Sequence, residues 1–163
     1  MDFALEQYID NAADEFALAL SEFCVRVGAK DATDLIDNVE ALLAGMEQAD
    51  CPVGHHFFDG LYSRETFVPA GAIFVTETHE TNHPLFLMSG IISVWTKDKG
   101  VITIAAPKAV KTTPGTRRIV YAHTDTLGIT VHATSETDPE VIRKQITSPR
   151  KNPLLTSPQP CLG

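Results

Sequence analysis

The sequence predicts a mainly β protein, a closed barrel or jelly roll preceded by a helical hairpin and followed by a short helix and a tail. Three observations predict it. Apolar residues recur at three- and four-residue steps as far as Met46. From Cys51 the period shortens to two, in short runs rich in β-branched and aromatic residues. Gly, Pro and Asp-Lys punctuation separates those runs, with no helical pattern between them. The expected divisions are a helical hairpin over 1–50, a barrel over 51–146 and a Pro-rich tail over 147–163.

In the first segment Leu5, Tyr8, Ile9, Ala12, Phe16, Leu20, Phe23 and Val27 form one stripe, with Glu6, Asp10, Asp14 and Glu15 mostly opposite. "GAKDAT" breaks this helix, and Asp31 or Thr33 can cap a second one whose apolar positions are Leu35, Ile36, Val39, Leu42, Leu43 and Met46. The stripe must be buried on the rest of the chain or on another copy of it, and the pattern leaves that choice open. Strands are expected near "LYSRETFV", "AIFVTETH", "PLFLMSG", "IISVWTK", "VITIAA", "AVKTT", "RRIVYA" and "LGITVHA", with turns at "KDKG" and "PGT". "TDPEVIRKQI" reads as a closing helix, with Thr137 or Asp138 as N-cap and Pro139 in the first turn. The ending "TSPRKNPLLTSPQPCLG" has no core-forming pattern, so it is expected to lie against a neighbouring surface.

Composition removes several function classes. A formal charge of −8 over 163 residues, with no basic stripe, disfavours direct nucleic-acid binding. No apolar run is long enough to cross a bilayer, and the N-terminus is acidic where a signal peptide is basic and then apolar; the expectation is no membrane and no secretion. Cys24, Cys51 and Cys161 are widely spaced and odd in number, which fits a reducing cytoplasm better than a disulfide framework. There is no nucleophile elbow, phosphate loop or dinucleotide glycine fingerprint.

"GAIFVTETHETNHPLFLMSG", Gly71 to Gly90, concentrates the ionisable groups. Read as a hairpin, it places Glu77 and His79 in line with Ile73 and Val75, and His83 in line with Leu85 and Leu87. An acid and two imidazoles continuing an aliphatic face suit the mouth of a barrel.

This segment resembles the first motif of the cupin family: Gly, five residues, His, one residue, His, three or four residues, Glu, six residues, Gly. Gly71, Glu77, His79, His83 and Gly90 stand in that frame, with Glu77 at the first His position and His83 at the Glu position. The resemblance extends over roughly Cys51 to Ile146 and implies a small β-barrel that holds a divalent transition metal (Zn, Mn, Fe or Ni) inside. "TPGTRRIVYA" is similar to the family's second motif, Pro-x-Gly-x-x-His, with Thr113 in place of the Pro and Arg118 in place of the fourth ligand. "HHFFDGLYSRE", "PGTRRIVYAHTD" and "HATSETD" look similar to small cupin-like proteins of tailed phages and prophages.

Two readings of the residues follow. In one, Glu77, His79 and His83 hold a metal with His132 or His123 as the fourth ligand, and Arg118 anchors an anionic substrate of an enzyme or sensor. In the other, Glu77 and Arg118 form an internal ion pair or bind a small anion, with no metal. His132 shares a face with Thr130 and Thr134, which leaves it lining a polar lumen or exposed, the latter slightly favoured; His55 and His56 are expected ahead of the first strand in surface or packing roles. The function expected first is a non-catalytic, oligomeric interaction or structural module of a phage or prophage, a virion or accessory protein with itself or other phage structural proteins as partners. Its expected place is the cytoplasm of a bacterial host or the virion. The alternative is the metal-dependent enzyme or small-molecule sensor.

Overall fold

The computed structural model describes residues 3–148. Two helices come first, α1 (Phe3–Val27) and α2 (Ala32–Ala44). The strands are β1 (Val53–Phe58), β2 (Leu61–Val68), β3 (Ile73–Val75), β4 (His83–Ser89), β5 (Ile91–Thr96), β6 (Gly100–Ala105), β7 (Lys108–Thr112), β8 (Ile119–Ala122) and β9 (Thr126–Ala133). Helix α3 (Pro139–Ile146) follows them. The strands make a five-stranded sheet, β1-β2-β9-β4-β7, and a four-stranded sheet, β3-β8-β5-β6, with antiparallel pairing throughout. The fold is a jelly roll with N-terminal helices and a short C-terminal helix. The expectation about how the tail lies falls on residues 149–163, outside the described residues.

Local chemistry sets the helix ends. Asp31 Oδ1 accepts from the amides of Thr33 at 2.7 Å and Asp34 at 3.0 Å, and Asp138 caps α3 through the Glu140 amide at 2.9 Å with Pro139 in the first turn. The apolar stripe of the two helices is buried on the chain itself. Phe16, Leu20, Leu35, Ile36 and Val39 pack on Val75 and Ile119, the outward face of the four-stranded sheet. Helix α1 lies over β5 and β6 while α2 lies over β3, so the sheet serves as their common partner.

Two expected features of the strands differ. The segment from Gly71 to Gly90 is no hairpin, because β3 pairs with β8 in one sheet and β4 pairs with β7 and β9 in the other. The chain crosses the barrel here, and it crosses back at Gly90. That residue has φ of +92°, and a Cβ on it would stand 2.6 Å from the Asp125 carbonyl oxygen, so this corner admits only glycine. His55 and His56 lie within β1, a strand that the polar, Gly-containing run "VGHHFF" conceals in the sequence.

Register orders the interior from one end to the other, because directly paired residues share a face. His132 pairs with Tyr62, and His83 with Thr112, at one end. One step inward come Arg64, Thr130, Leu85 and Val110; the next step holds Thr66, Gly128 and Leu87, and the one after it Val68 and Thr126. At that far end Val68, Leu87, Ile92, Val94, Val120 and Ala122 form a continuous apolar core.

Candidate functional site

Strand β3 stops at Val75, and the two-residue alternation stops with it. Val75 faces the helices, whereas Phe74, Thr76 and His79 line the interior cavity, so the face changes between Thr76 and His79. Backbone bonds outside the regular ladder fix the irregular segment: the Thr76 amide donates to the Arg118 carbonyl at 2.9 Å, the Gly115 amide to the His79 carbonyl at 2.8 Å, and the Glu80 amide to the Ile146 carbonyl at 2.8 Å. The last of these ties the end of α3 to this segment, and His79 also bridges Thr147.

His79, His83 and His132 converge from three separate segments, each 4–5% exposed. Ring centroids are 4.4 Å apart for His79 and His83, 4.3 Å for His83 and His132, and 6.3 Å for His79 and His132. His132, for which exposure was slightly favoured, is therefore buried; the parity of β9 places it beside Tyr62, which it stacks on at 6.2 Å. His83 Nδ1 donates to the Thr81 carbonyl at 3.1 Å, which assigns the proton to that nitrogen and leaves a lone pair on Nε2. Nδ1 of His79 and of His132 is buried with no hydrogen-bond partner among the described residues. Burial, then the neighbouring His83 and His132 and the nearby Arg118 and Arg64 guanidiniums, pushes His79 down to about 3. Burial, His83 and Arg64 push His132 down to about 4. His83 is also lowered, mainly by burial, against the Thr81 bond that favours its charged form. All three rings are neutral at pH 7.

Glu77 lies apart from the cavity. Its carboxylate is 4% exposed and accepts two bonds of 3.0 Å from Arg143 Nε, plus a short one from Arg143 Nη2. The ion pair that the sequence offers for Glu77 with Arg118 is thus replaced by a bidentate pair with an arginine of α3. No pattern within Gly71–Gly90 signals Arg143, because it reaches Glu77 only once α3 has folded back across this end.

Arg118 is half-buried inside the barrel. Its amide donates to Thr76 Oγ1 and its Nη2 to Thr112 Oγ1, each at 3.0 Å. No carboxylate lies within ion-pair reach of it or of Arg64 among the described residues. Burial pushes both guanidiniums below their ordinary range, and for Arg64 the more distant fields of Tyr62 and Glu77 work the other way. An arginine keeps its proton in a protein, so this desolvation is a cost of two fixed positive charges, offset only in part at Arg64. Sequence reading missed Arg64. Its signal was available: "YSRETFV" places Arg64 in line with Tyr62, Thr66 and Val68, the buried parity of the strand.

These groups surround a cavity of about 480 Å³. Arg64, Arg118, His79, His83 and Thr112 line it at one end; Val68, Leu87, Ile92 and Ile104 line it at the other. Exposed loop residues Lys97, Asp98, Lys99 and Thr113–Gly115 also line it, so it opens between the β5–β6 turn and the β7–β8 loop. Five lining residues are cationic and carry no carboxylate partner among the described residues, Arg64, Lys97, Lys99, Lys111 and Arg118, against the one anion Asp98, in a chain whose net charge is −8. Arg117 is held outside by Asp37 and Glu40 of α2, which pins the loop that carries Arg118.

Other candidate groups have structural settings. His123 Nε2 meets Ser93 Oγ at 2.7 Å, but Ser93 is fully buried beneath α1, and the ring packs edge-on against Tyr8 and Tyr121. His123 is therefore remote from the three-imidazole cluster. His55 Nδ1 bonds the Tyr62 hydroxyl at 2.6 Å. Cys24 is a free thiol.

No family model and no curated protein matches the chain. Solved structures do. Ectoine synthase from P. lautus superposes with a TM-score of 0.50 at 12% identity, over 66% of this chain and 81% of that one. A cupin domain from Bordetella pertussis gives 0.44 at 13% identity over 55% and 99%, and the Cnp3 cupin domain of Schizosaccharomyces pombe 0.44 at 14% over 63% and 71%. The chain has a cupin-type jelly-roll fold. At these identities the likeness concerns the fold alone.

The metal implied by the family resemblance fits the residues poorly. Both Glu77 oxygens are engaged by Arg143, two guanidiniums act on the imidazoles, and among the described residues no three His, Cys, Asp or Glu side chains are disposed to hold a cation. A divalent ion here would meet the repulsion of Arg64 and Arg118 in a low-dielectric interior.

Proposed function

We propose that this protein is a cupin-fold binding module for a small organic anion, whose acid group is held by Arg118 and Arg64. The observation that carries this reading is the pair of half-buried guanidiniums facing one cavity with no carboxylate in ion-pair reach among the described residues. Buried charges are ordinarily paired, and a planar fork that already uses one Nη on a threonine keeps others free to grip a carboxylate or phosphate. Neutral imidazoles beside them add donors and acceptors of either sense. This corresponds to the small-molecule sensor among the expected functions, without the metal. Differential scanning fluorimetry against carboxylic and phosphoric acids and their neutral esters tests it. Acids should raise the melting temperature of the wild type and leave Arg118→Met unmoved; equal stabilisation by the esters, or by none of the compounds, would end the proposal.

A second reading, the oligomeric phage or prophage component, is favoured by exposed apolar side chains outside the barrel. Phe3, Leu18 and Val25 on α1 are largely exposed among the described residues, and Phe67, Phe86 and Met88 on the outward face of the five-stranded sheet are partly so. Light scattering on the purified protein tests it: a closed oligomer supports the reading, and a monomer at high concentration counts against it.

A further inference from the structure

Polarity within the cavity changes along its length, and Gly128 stands where it changes. Gly128 lies inside β9 with its face to the cavity, one step beyond the row of Arg64 and Thr130. Glycine weakens a strand interior, so its presence there ordinarily answers a need of the backbone or a close approach. The backbone has no such need: its φ is outside the left-handed region, and a Cβ would find only Leu85 Cδ1 at 3.5 Å, ordinary contact. What a side chain at Gly128 would occupy is the shaft between the arginines and the apolar floor.

Below that point the lining loses its free polar groups. Val68, Leu87, Ile92 and Ile104 form the floor, and the hydroxyl of Thr126 donates to the Thr124 carbonyl at 2.9 Å. From Arg64 to Val68 is four residues of β2, roughly 13 Å of strand. The cavity's 480 Å³ equals about 16 water volumes.

We infer that the ligand is an amphipathic anion: a carboxylate or phosphate group between Arg64 and Arg118, and a linear hydrocarbon body that passes Gly128 to rest on the Leu87–Ile92 floor. This rests on the anion-binding reading and deepens it. The lysines at the rim, Lys97, Lys99 and Lys111, draw the acid towards the opening of an otherwise acidic protein, while the floor selects for apolar length.

Calorimetric titration with butanoate, octanoate and octanol, on the wild type and on Gly128→Val and Gly128→Ala, tests it. Octanoate should bind more tightly than butanoate by roughly fourfold per added methylene, the ~0.8 kcal/mol of each buried CH2. Octanol should bind far more weakly than octanoate. Gly128→Val should remove the chain-length gain and keep butanoate binding, with Gly128→Ala intermediate and serving alone if the valine variant does not fold. Acids that bind with no dependence on length, or a length dependence unchanged in the Gly128 variants, would overturn this inference and leave the anion site standing. Octanol binding as well as octanoate, or no binding by any acid, would remove the anion site itself.

Discussion

Four arginines meet at one end of this barrel, and they divide into two kinds. Arg117 and Arg143 each grip carboxylates, Asp37 with Glu40 and Glu77 with Glu140, and they fasten helices to the barrel. Arg64 and Arg118 are half-buried like the first two, hold threonine or no side chain among the described residues, and face a cavity. The first kind stabilises the fold; the second kind costs it, because desolvation of a fixed charge is not matched by an ion pair among the described residues. A fold retains such a cost where a ligand supplies the missing charge.

Acid should separate the two kinds most sharply. Unfolded imidazoles protonate near 6.5, while folded His79 and His132 do so only near 3 and 4, so between those limits the unfolded chain binds more protons. Stability is therefore complete above about pH 6.5 and falls as pH drops through the window towards 3, by up to about 1.4 kcal/mol per pH unit for each of the two rings. Urea unfolding from pH 7 to 4 measures this. His79→Asn should flatten the slope, since it removes one of the two imidazoles that bind a proton in the unfolded chain but not in the folded one.

Arg143→Met comes next in size. It leaves the buried Glu77 carboxylate without its bidentate partner, an expected loss of about 3 kcal/mol, at the low end for a buried pair because the guanidinium is partly exposed. Chemical denaturation of the variant checks it, and Glu77→Gln combined with Arg143→Met should recover part of the loss. The smallest change in stability belongs to Arg64→Met and Arg118→Met. Each exchanges a half-buried cation, unpaired among the described residues, for an apolar side chain of similar length, so the unfolding stability should hold or rise, by up to about 1 kcal/mol. A loss as large as that of Arg143→Met would erase the distinction between the two kinds.

Much of the fold could be read from the sequence, because the switch of hydrophobic period at Cys51 and the turn residues at "KDKG" and "PGT" are local signals. The site was legible only in part. His79 and His83 share a cavity although no hairpin joins them, since the chain leaves one sheet at Val75 and enters the other at His83. Alternation put Glu77 in line with Ile73 and Val75, and that row faces the helices rather than the lumen; only His79, beyond the end of β3, turns inward. Arg64 and Arg143 were out of view for different reasons. Parity within β2 marks the former, and only the return of α3 over the barrel end produces the latter's contact.

The most direct measurement is the melting temperature of the wild type and of Arg64→Met combined with Arg118→Met, with and without octanoate. The double variant should be at least as stable as the wild type when free, and should gain nothing from octanoate while the wild type gains several degrees. A double variant that is strongly destabilised, or that octanoate stabilises as well as it does the wild type, would show that these two charges hold the fold together and leave the cavity without a reason to be cationic.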